Sequence, residues 1–133
     1  MSANTPGTRV RETAYVTVGA EAANVIQLLI QLQDVKGNNI ARNRDVIVTV
    51  YEATMIEAVA AAFTLADGGV GALISTTAQA RVLATTDATG LLDLDLTDVA
   101  GASGKTVYVT VEVLDDLTAN TAGGMVYAAA TFD

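Results

Sequence analysis

Residues 106–114 read TVYVTVEVL and contain the clearest strand pattern in the chain. Its valines fall on one parity, so an extended backbone places them on the same face; they are Val107, Val109, Val111 and Val113. The other parity carries mainly Thr, Tyr and Glu, which suit a more polar face. Alternation with a period of two and one apolar face predicts a half-buried β-strand.

The same alternation recurs outward from this segment in both directions. Residues 25–34 (VIQLLIQLQD) place aliphatic side chains on one parity and glutamines on the other, with Leu29 among the glutamines. Residues 91–96 (LLDLDL) place leucines inward and leave Asp93 and Asp95 outward, on a solvated face. Turn-forming Gly, Asn and Asp residues separate the other predicted strands, which lie at residues 13–19, 45–53, 61–65, 72–75, 80–85 and 125–132.

These segments predict an all-β fold, a single antiparallel Ig-like β-sandwich of about seven to nine strands. Residues 13–133 form the domain, and residues 1–12 form an extended N-terminal arm with Pro6 beside Gly7. One stretch is ambiguous, because residues 55–66 (MIEAVAAAFTLA) have helix-forming composition without an N-cap or a clean helical stripe. We expect a short helix or irregular turn there, leading into the strand at residues 61–65.

Composition excludes several classes of function. The chain of 133 residues contains no Cys and no His, so disulfides, thiolate metal sites and a histidine base are all excluded. Its net charge of −8 repels phosphate backbones, which argues against nucleic-acid binding. The longest apolar run spans only residues 58–63, too short to cross a membrane. The N-terminus lacks the apolar stretch of a signal peptide, so we expect synthesis in the cytoplasm without export.

The candidate chemical groups of the sequence all have simpler explanations, so no catalytic, cofactor or metal site is predicted. Asp93 and Asp95 resemble a carboxylate pair, but a charged strand face that discourages edge pairing explains them better. Asp34 with Asn38 and Asn39 suits an Asx-type turn better than half a calcium loop. The remaining groups lack a partner or a dry environment: Ser75 and Ser103 have no histidine base, Lys36 and Lys105 fall in predicted turns, and residues 67–71 (DGGVG) lack the rest of a phosphate-binding loop.

Two features predict binding to other proteins. Apolar residues make up 51% of the chain and charged residues only 17%, which indicates that a partner covers part of the surface. Leu29, Ile47 and Leu114 lie on the outward parity of their strands and are the candidate contacts. The same excess predicts a homo-oligomer, with a trimer favoured. The arm adds Arg9 and Arg11, opposite in sign to the chain as a whole, which suit a latch on a neighbouring subunit.

The order of three segments resembles bacterial Ig-like domains of the invasin type: IQLLIQLQDVKGNNIARNRDVIVTVYEA, TTDATGLLDLDLTD and GASGKTVYVTVEV. The stretch AAFTLADGGVGALISTTAQARVLATTDATG, followed by VAGASGKTVYVTVEV, is similar to small structural proteins of tailed bacteriophages, of the head-decoration or head-fibre type. The resemblance covers roughly residues 25–133. It rests on turn chemistry and segment order, and it carries no catalytic residues.

This resemblance implies a non-enzymatic virion protein on the capsid exterior. Its partners would be the major capsid protein or other virion proteins, and its role would be capsid decoration, in which it cements neighbouring subunits. Two alternatives stay open. The chain fits a tail, baseplate or fibre-base component, and it fits an Ig-like module that binds the host surface. Few aromatic residues argue against glycan binding in the second alternative.

Overall fold

The computed structural model describes residues 12–34, 36–51, 63–78, 81–99, 105–114 and 125–132. These residues form nine β-strands and no helix: β1 (Glu12–Val18), β2 (Val25–Asp34), β3 (Asp45–Tyr51), β4 (Phe63–Asp67), β5 (Ala72–Ala78), β6 (Arg81–Thr85), β7 (Leu91–Asp98), β8 (Lys105–Val113) and β9 (Met125–Phe132). Within these ranges, no helix is long and apolar enough to cross a bilayer. The all-β prediction is confirmed.

The strands form two antiparallel sheets. The four-stranded sheet has the order β1-β2-β7-β4, and the five-stranded sheet has the order β5-β6-β3-β8-β9. All nine predicted strands are present, several with shifted ends: β4 begins at Phe63 and ends at Asp67, and β5 continues to Ala78. The ambiguous residues 55–62 lie outside the described part of the chain. Lys105, which was predicted in a turn, is instead the first residue of β8.

The two sheets bury side chains of different shape against each other. The inner face of the four-stranded sheet is mainly Leu and Ile: Ile26, Leu28, Ile30, Leu32, Leu65, Leu92, Leu94 and Leu96. The inner face of the five-stranded sheet is mainly Val: Val46, Val48, Val50, Val82, Val107, Val109, Val111 and Val113. All of them belong to one hydrophobic cluster, so the predicted inward parity is confirmed. Long side chains from one sheet and short branched ones from the other fill the space between the sheets.

Two contacts join the sheets away from the centre. The rings of Phe63 on β4 and Phe132 on β9 lie 5.6 Å apart, tilted at 53°, in the geometry that aromatic pairs prefer. The edge strand β1 of the four-stranded sheet also lies beside β8 and β9 of the other sheet. Both contacts hold the two sheets against each other, so the inner side chains stay buried and the residues of the other parity stay on the outside.

We expect Val109→Asp to unfold the domain, because Val109 is fully buried and a charge placed there has no partner. Burial of an uncompensated charge costs several kcal/mol, which is comparable to the whole stability of a small domain. Urea unfolding of Val99→Asp is the matched control, since Val99 is 61% exposed. Cooperative unfolding of Val109→Asp at wild-type urea concentrations would show that β8 faces the other way.

Candidate functional site

One end of the molecule is built by the loop at residues 36–44 and the turn at residues 86–90, here called the loop end. Thr86 is buried and joins them, since its Oγ1 accepts a hydrogen bond from the N–H of Arg44 and donates one to the carbonyl of Arg42. Gly90 has a φ of +82° and packs against the Ile40 carbonyl, where any side chain would collide. The loop end is therefore a rigid, hydrogen-bonded structure.

The first residue of β1 is fixed to this loop end by ion pairs. Arg44 donates from Nε to Glu12 Oε1 at 2.7 Å and from Nη2 to Oε2 at 3.2 Å. Arg42 Nη1 donates to Glu12 Oε2, also at 3.2 Å. The Glu12 and Arg44 side chains are only 13% and 14% exposed, so water screens their pair weakly. Glu12, assigned from the sequence to the arm, thus belongs to the folded domain.

The loop end does not present a basic surface. Its cations Lys36, Arg42 and Arg44 are outnumbered by nearby carboxylates, which are Glu12, Asp34, Asp45 and Asp87. Both arginines already hold Glu12. Arg9 and Arg11, the predicted latch residues of the arm, lie outside the described residues.

Asp34 and Asp87 each organise a turn at this end. Asp34 Oδ1 accepts the N–H groups of Lys36 and Asn38, and its Oδ2 accepts the Asn38 side-chain amide. Hydrogen bonds from Asn38 lower the pKa of Asp34 below 3.8. The predicted Asx-type turn is confirmed, and the carboxylate points at its own backbone. In the described part of the chain, no group of three or more acidic side chains is placed to hold a metal.

Asp87 makes the same kind of turn before β7. Its Oδ1 accepts hydrogen bonds from the Thr89 hydroxyl, at 2.6 Å, and from the N–H groups of Thr89 and Leu91. The Thr89 hydroxyl, followed by these N–H groups, lowers the pKa of Asp87 below 3.8. Asp34 and Asp87 therefore both stabilise turns of the backbone.

The prediction that Asp93 lies on a solvated face is wrong. Asp93 does face outward on β7, but it is only 6% exposed because the turn at residues 68–71 folds over it. The N–H of Gly68 donates to the Asp93 carbonyl, and a Cβ on Gly68 would lie 2.5 Å from Asp93 Oδ1. Asp93 Oδ2 accepts from the Gln27 side chain at 2.8 Å. Asp95 remains partly exposed, so the two carboxylates have different environments and do not form an open pair.

Leu29 lies in an uncharged patch on the outside of the four-stranded sheet. This patch consists of the outward residues of β1 and β2: Thr13, Tyr15, Thr17, Gln27, Leu29, Gln31 and Gln33. Leu29 is paired with Thr17, and Tyr15 is paired with Gln31, so the two apolar side chains are diagonal neighbours. Tyr15 is 61% exposed and Leu29 is 39% exposed. Sequence reasoning found Leu29 but missed Tyr15.

Ile47 and Leu114 meet in a groove on the outside of the five-stranded sheet. The groove has a volume of about 220 Å³ and is lined by Ile47, Ser75, Arg81, Val82, Leu83 and Leu114. β3 pairs with β6, which places Leu83 opposite Ile47, and the N–H of Leu114 donates to the Asp45 carbonyl. Leu83 and Arg81 were missed from the sequence, although the inward parity of Val82 and Ala84 leaves both of them outward. Ser103 lies outside the described residues.

Comparisons with protein-family models, with curated proteins and with solved structures found no match for this chain. The candidate sites are the uncharged patch and the groove, one on the outer face of each sheet. Any functional assignment has to be argued from the residues of these two sites.

We expect Asp87→Asn to reduce the loss of stability in acid. A carboxyl group whose pKa is lowered by folding stabilises the protein above its unfolded pKa, near 3.8, and this stabilisation disappears as the pH falls toward the lower folded value. Asparagine keeps the acceptor Oδ1 and has no proton to gain. Urea unfolding at pH 7 and pH 3 should therefore show a smaller difference for Asp87→Asn than for the wild type. Identical differences would mean that the turn does not contribute to acid sensitivity.

Proposed function

We propose that this protein is a non-enzymatic structural protein of a bacteriophage virion, a capsid decoration protein that docks on the outer surface of the head. Its partner is the major capsid protein. The observation that carries this proposal is that apolar side chains lie on charge-poor outer faces of both sheets, in a chain whose net charge is −8.

The composition of these faces favours a protein partner. Cores of protein interfaces are depleted in charged residues and enriched in aromatic anchors such as Tyr. The uncharged patch fits this description, since Tyr15 and Leu29 lie among the Thr and Gln side chains of β1 and β2. On the next strand, Leu29 is opposite Asp93, which is buried, and Gln27 is opposite Asp95, which borders the patch. The residues of the patch itself carry no charge that a partner would leave unpaired.

The order of the strands supports an Ig-like sandwich. The sequence β1-β2-β7-β4 corresponds to the A-B-E-D sheet of an immunoglobulin domain, and β3-β8-β9 corresponds to its C-F-G sheet. The β5–β6 hairpin extends the second sheet beyond β3, on the side where variable domains carry their extra strands. It differs from them in chain order, because β4 comes before the hairpin.

The size of the faces sets the strength of docking. Four strands about 4.8 Å apart, each about seven residues long, cover on the order of 450 Å² in projection. A stable interface buries about 800 Å² on each partner, so one sheet face alone binds weakly. Weak binding is sufficient for cementing, because the protein binds only the assembled shell and stabilises it by mass action at many equivalent sites.

The first test is to locate the protein on particles. The full chain with a C-terminal tag is produced during phage infection of the host cells, and particles are separated into filled heads, empty heads and tails. We expect the tag on the exterior of heads by immunogold labelling. Label confined to tails, baseplates or fibres would replace the proposal with the tail alternative, and label on bare host cells would replace it with the host-binding alternative.

The arm is tested with the same particles. Deletion of residues 2–11 keeps Glu12 and its ion pairs, so the fold should be retained. We expect the deletion to lower head occupancy, and Arg9→Gln with Arg11→Gln to make occupancy less sensitive to salt, because ion pairs weaken as salt rises. Unchanged occupancy of the deletion variant at low and high salt would show that the arm is not a latch.

We also propose that the protein associates with itself, with a trimer as the favoured state. At the uncharged patch, two copies of this acidic chain can meet without bringing like charges of the patch residues together. Sedimentation equilibrium should show oligomers, and Leu29→Gln should shift the equilibrium toward monomer. Ile74→Gln is the matched control, since Ile74 is 51% exposed and lies outside the patch on β5. A wild-type protein that is monomeric both free and after extraction from particles would contradict this prediction.

A further inference from the structure

The groove on the five-stranded sheet combines an aliphatic floor with the guanidinium of Arg81. Ile47, Leu83 and Leu114 line it from β3, β6 and the end of β8, and Arg81 lies two residues from Leu83 on the same outward parity of β6. Ser75 adds a hydroxyl from β5, where a register shift follows Leu73 and places Ser75 opposite Leu83. The groove therefore offers apolar contact and a guanidinium side by side.

The Arg81 side chain is exposed, although the Arg81 backbone belongs to the β6 ladder. The ion pairs of the described residues involve Arg42 and Arg44, and the Arg81 side chain makes no hydrogen bond or ion pair there. Its cross-strand neighbour on β3 is Thr49, whose own partner on β8 is Thr110. Glu112 on β8 is paired with Ile47 and makes no ion pair with Arg81. Within the described ranges, no carboxylate pairs with this guanidinium beside the apolar surface.

The size of the groove restricts its occupant. Its volume of about 220 Å³ is below the roughly 300–1,000 Å³ of sites that enclose a small molecule or cofactor. It suits one or two side chains of a protein segment. A guanidinium binds a carboxylate through two parallel N–H···O bonds, so Arg81 favours a partner segment that carries a carboxylate.

We propose that this groove binds a segment of the partner protein in which an aliphatic side chain lies next to a carboxylate. The aliphatic side chain contacts Ile47, Leu83 and Leu114, and the carboxylate pairs with Arg81. This rests on the proposed function and adds the chemistry of the partner segment. In a second folded copy, the leucines of the Leu–Asp stretch of β7 could not supply this segment, because Leu92, Leu94 and Leu96 are fully buried.

The test uses two blocked six-residue peptides that are identical except for one position: one carries a Leu–Asp pair and the other a Leu–Asn pair. Each is titrated into the full-length, ¹⁵N-labelled protein while amide shifts are followed by NMR. We expect the Leu–Asp peptide to shift the amides of Ile47, Leu83 and Leu114, with affinity at least about fivefold higher than the Leu–Asn peptide. Equal affinity, or no shifts around the groove, would overturn the proposal.

Variants locate the binding on the protein. Arg81→Gln should abolish the preference for the Leu–Asp peptide, Arg81→Lys should restore part of it, and Lys36→Gln, on an exposed turn, should leave it unchanged. Amide shift dispersion confirms that each variant is folded. A preference retained in Arg81→Gln would overturn the assignment of Arg81.

Particle occupancy separates this proposal from the proposed function. Loss of head occupancy by Arg81→Gln, together with loss of peptide preference, supports both. If the wild-type protein decorates heads but does not bind the Leu–Asp peptide, only the groove proposal is overturned. Peptide binding at the groove by a protein that is absent from heads overturns the capsid role and leaves the chemistry of the groove intact.

Discussion

The structure depends on the packing of a Leu/Ile face against a Val face. Leu28, Leu94 and their neighbours extend from the four-stranded sheet into space that the shorter valines of the five-stranded sheet leave open. Sheets pack about 10 Å apart when their inner side chains interdigitate in this way. Because side chains alternate along a strand, burial of one parity fixes the other parity on the outside. A slip of one residue would reverse both, so the same packing that stabilises the core also determines which residues a partner meets.

Much of the fold and part of the candidate site follow from this alternation, and so can be predicted from sequence. The strands with strict alternation, β2, β7 and β8, were predicted closely, as was the outward position of Leu29, Ile47 and Leu114. The order of the strands in each sheet cannot be predicted in this way, because β7 pairs with both β2 and β4, which are distant from it in the sequence. No local pattern encodes such pairings. The groove exists only because β6 pairs with β3 and brings Leu83 opposite Ile47, so its residues could be recognised singly but not as a set.

Asp93 and Glu12 show the second limit of sequence reasoning. Asp93 lies on the outward parity, and alternation correctly predicts its direction. Its burial results from Gly68, a residue 25 positions earlier in the chain, whose lack of a side chain allows the turn to cover the carboxylate. Glu12 looks like part of a polar arm, yet Arg44, 32 residues away, holds it against the domain. The direction of a side chain follows from its own strand, whereas its exposure depends on which distant segment of the chain packs against it.

The distribution of charge separates the surfaces of this domain that stabilise its fold from those proposed to bind a partner. At the loop end the ionic groups are engaged in the fold, since Arg42 and Arg44 hold Glu12 while Asp34 and Asp87 hold their own turns. A partner that docked there would compete with these contacts. On the sheet faces the backbone hydrogen bonds lie within the ladders, so outward side chains can contact a partner without breaking those bonds. The apolar side chains Tyr15 and Leu29 on one face and the unneutralised Arg81 on the other are therefore the groups whose burial by a partner adds contacts at no cost to the fold.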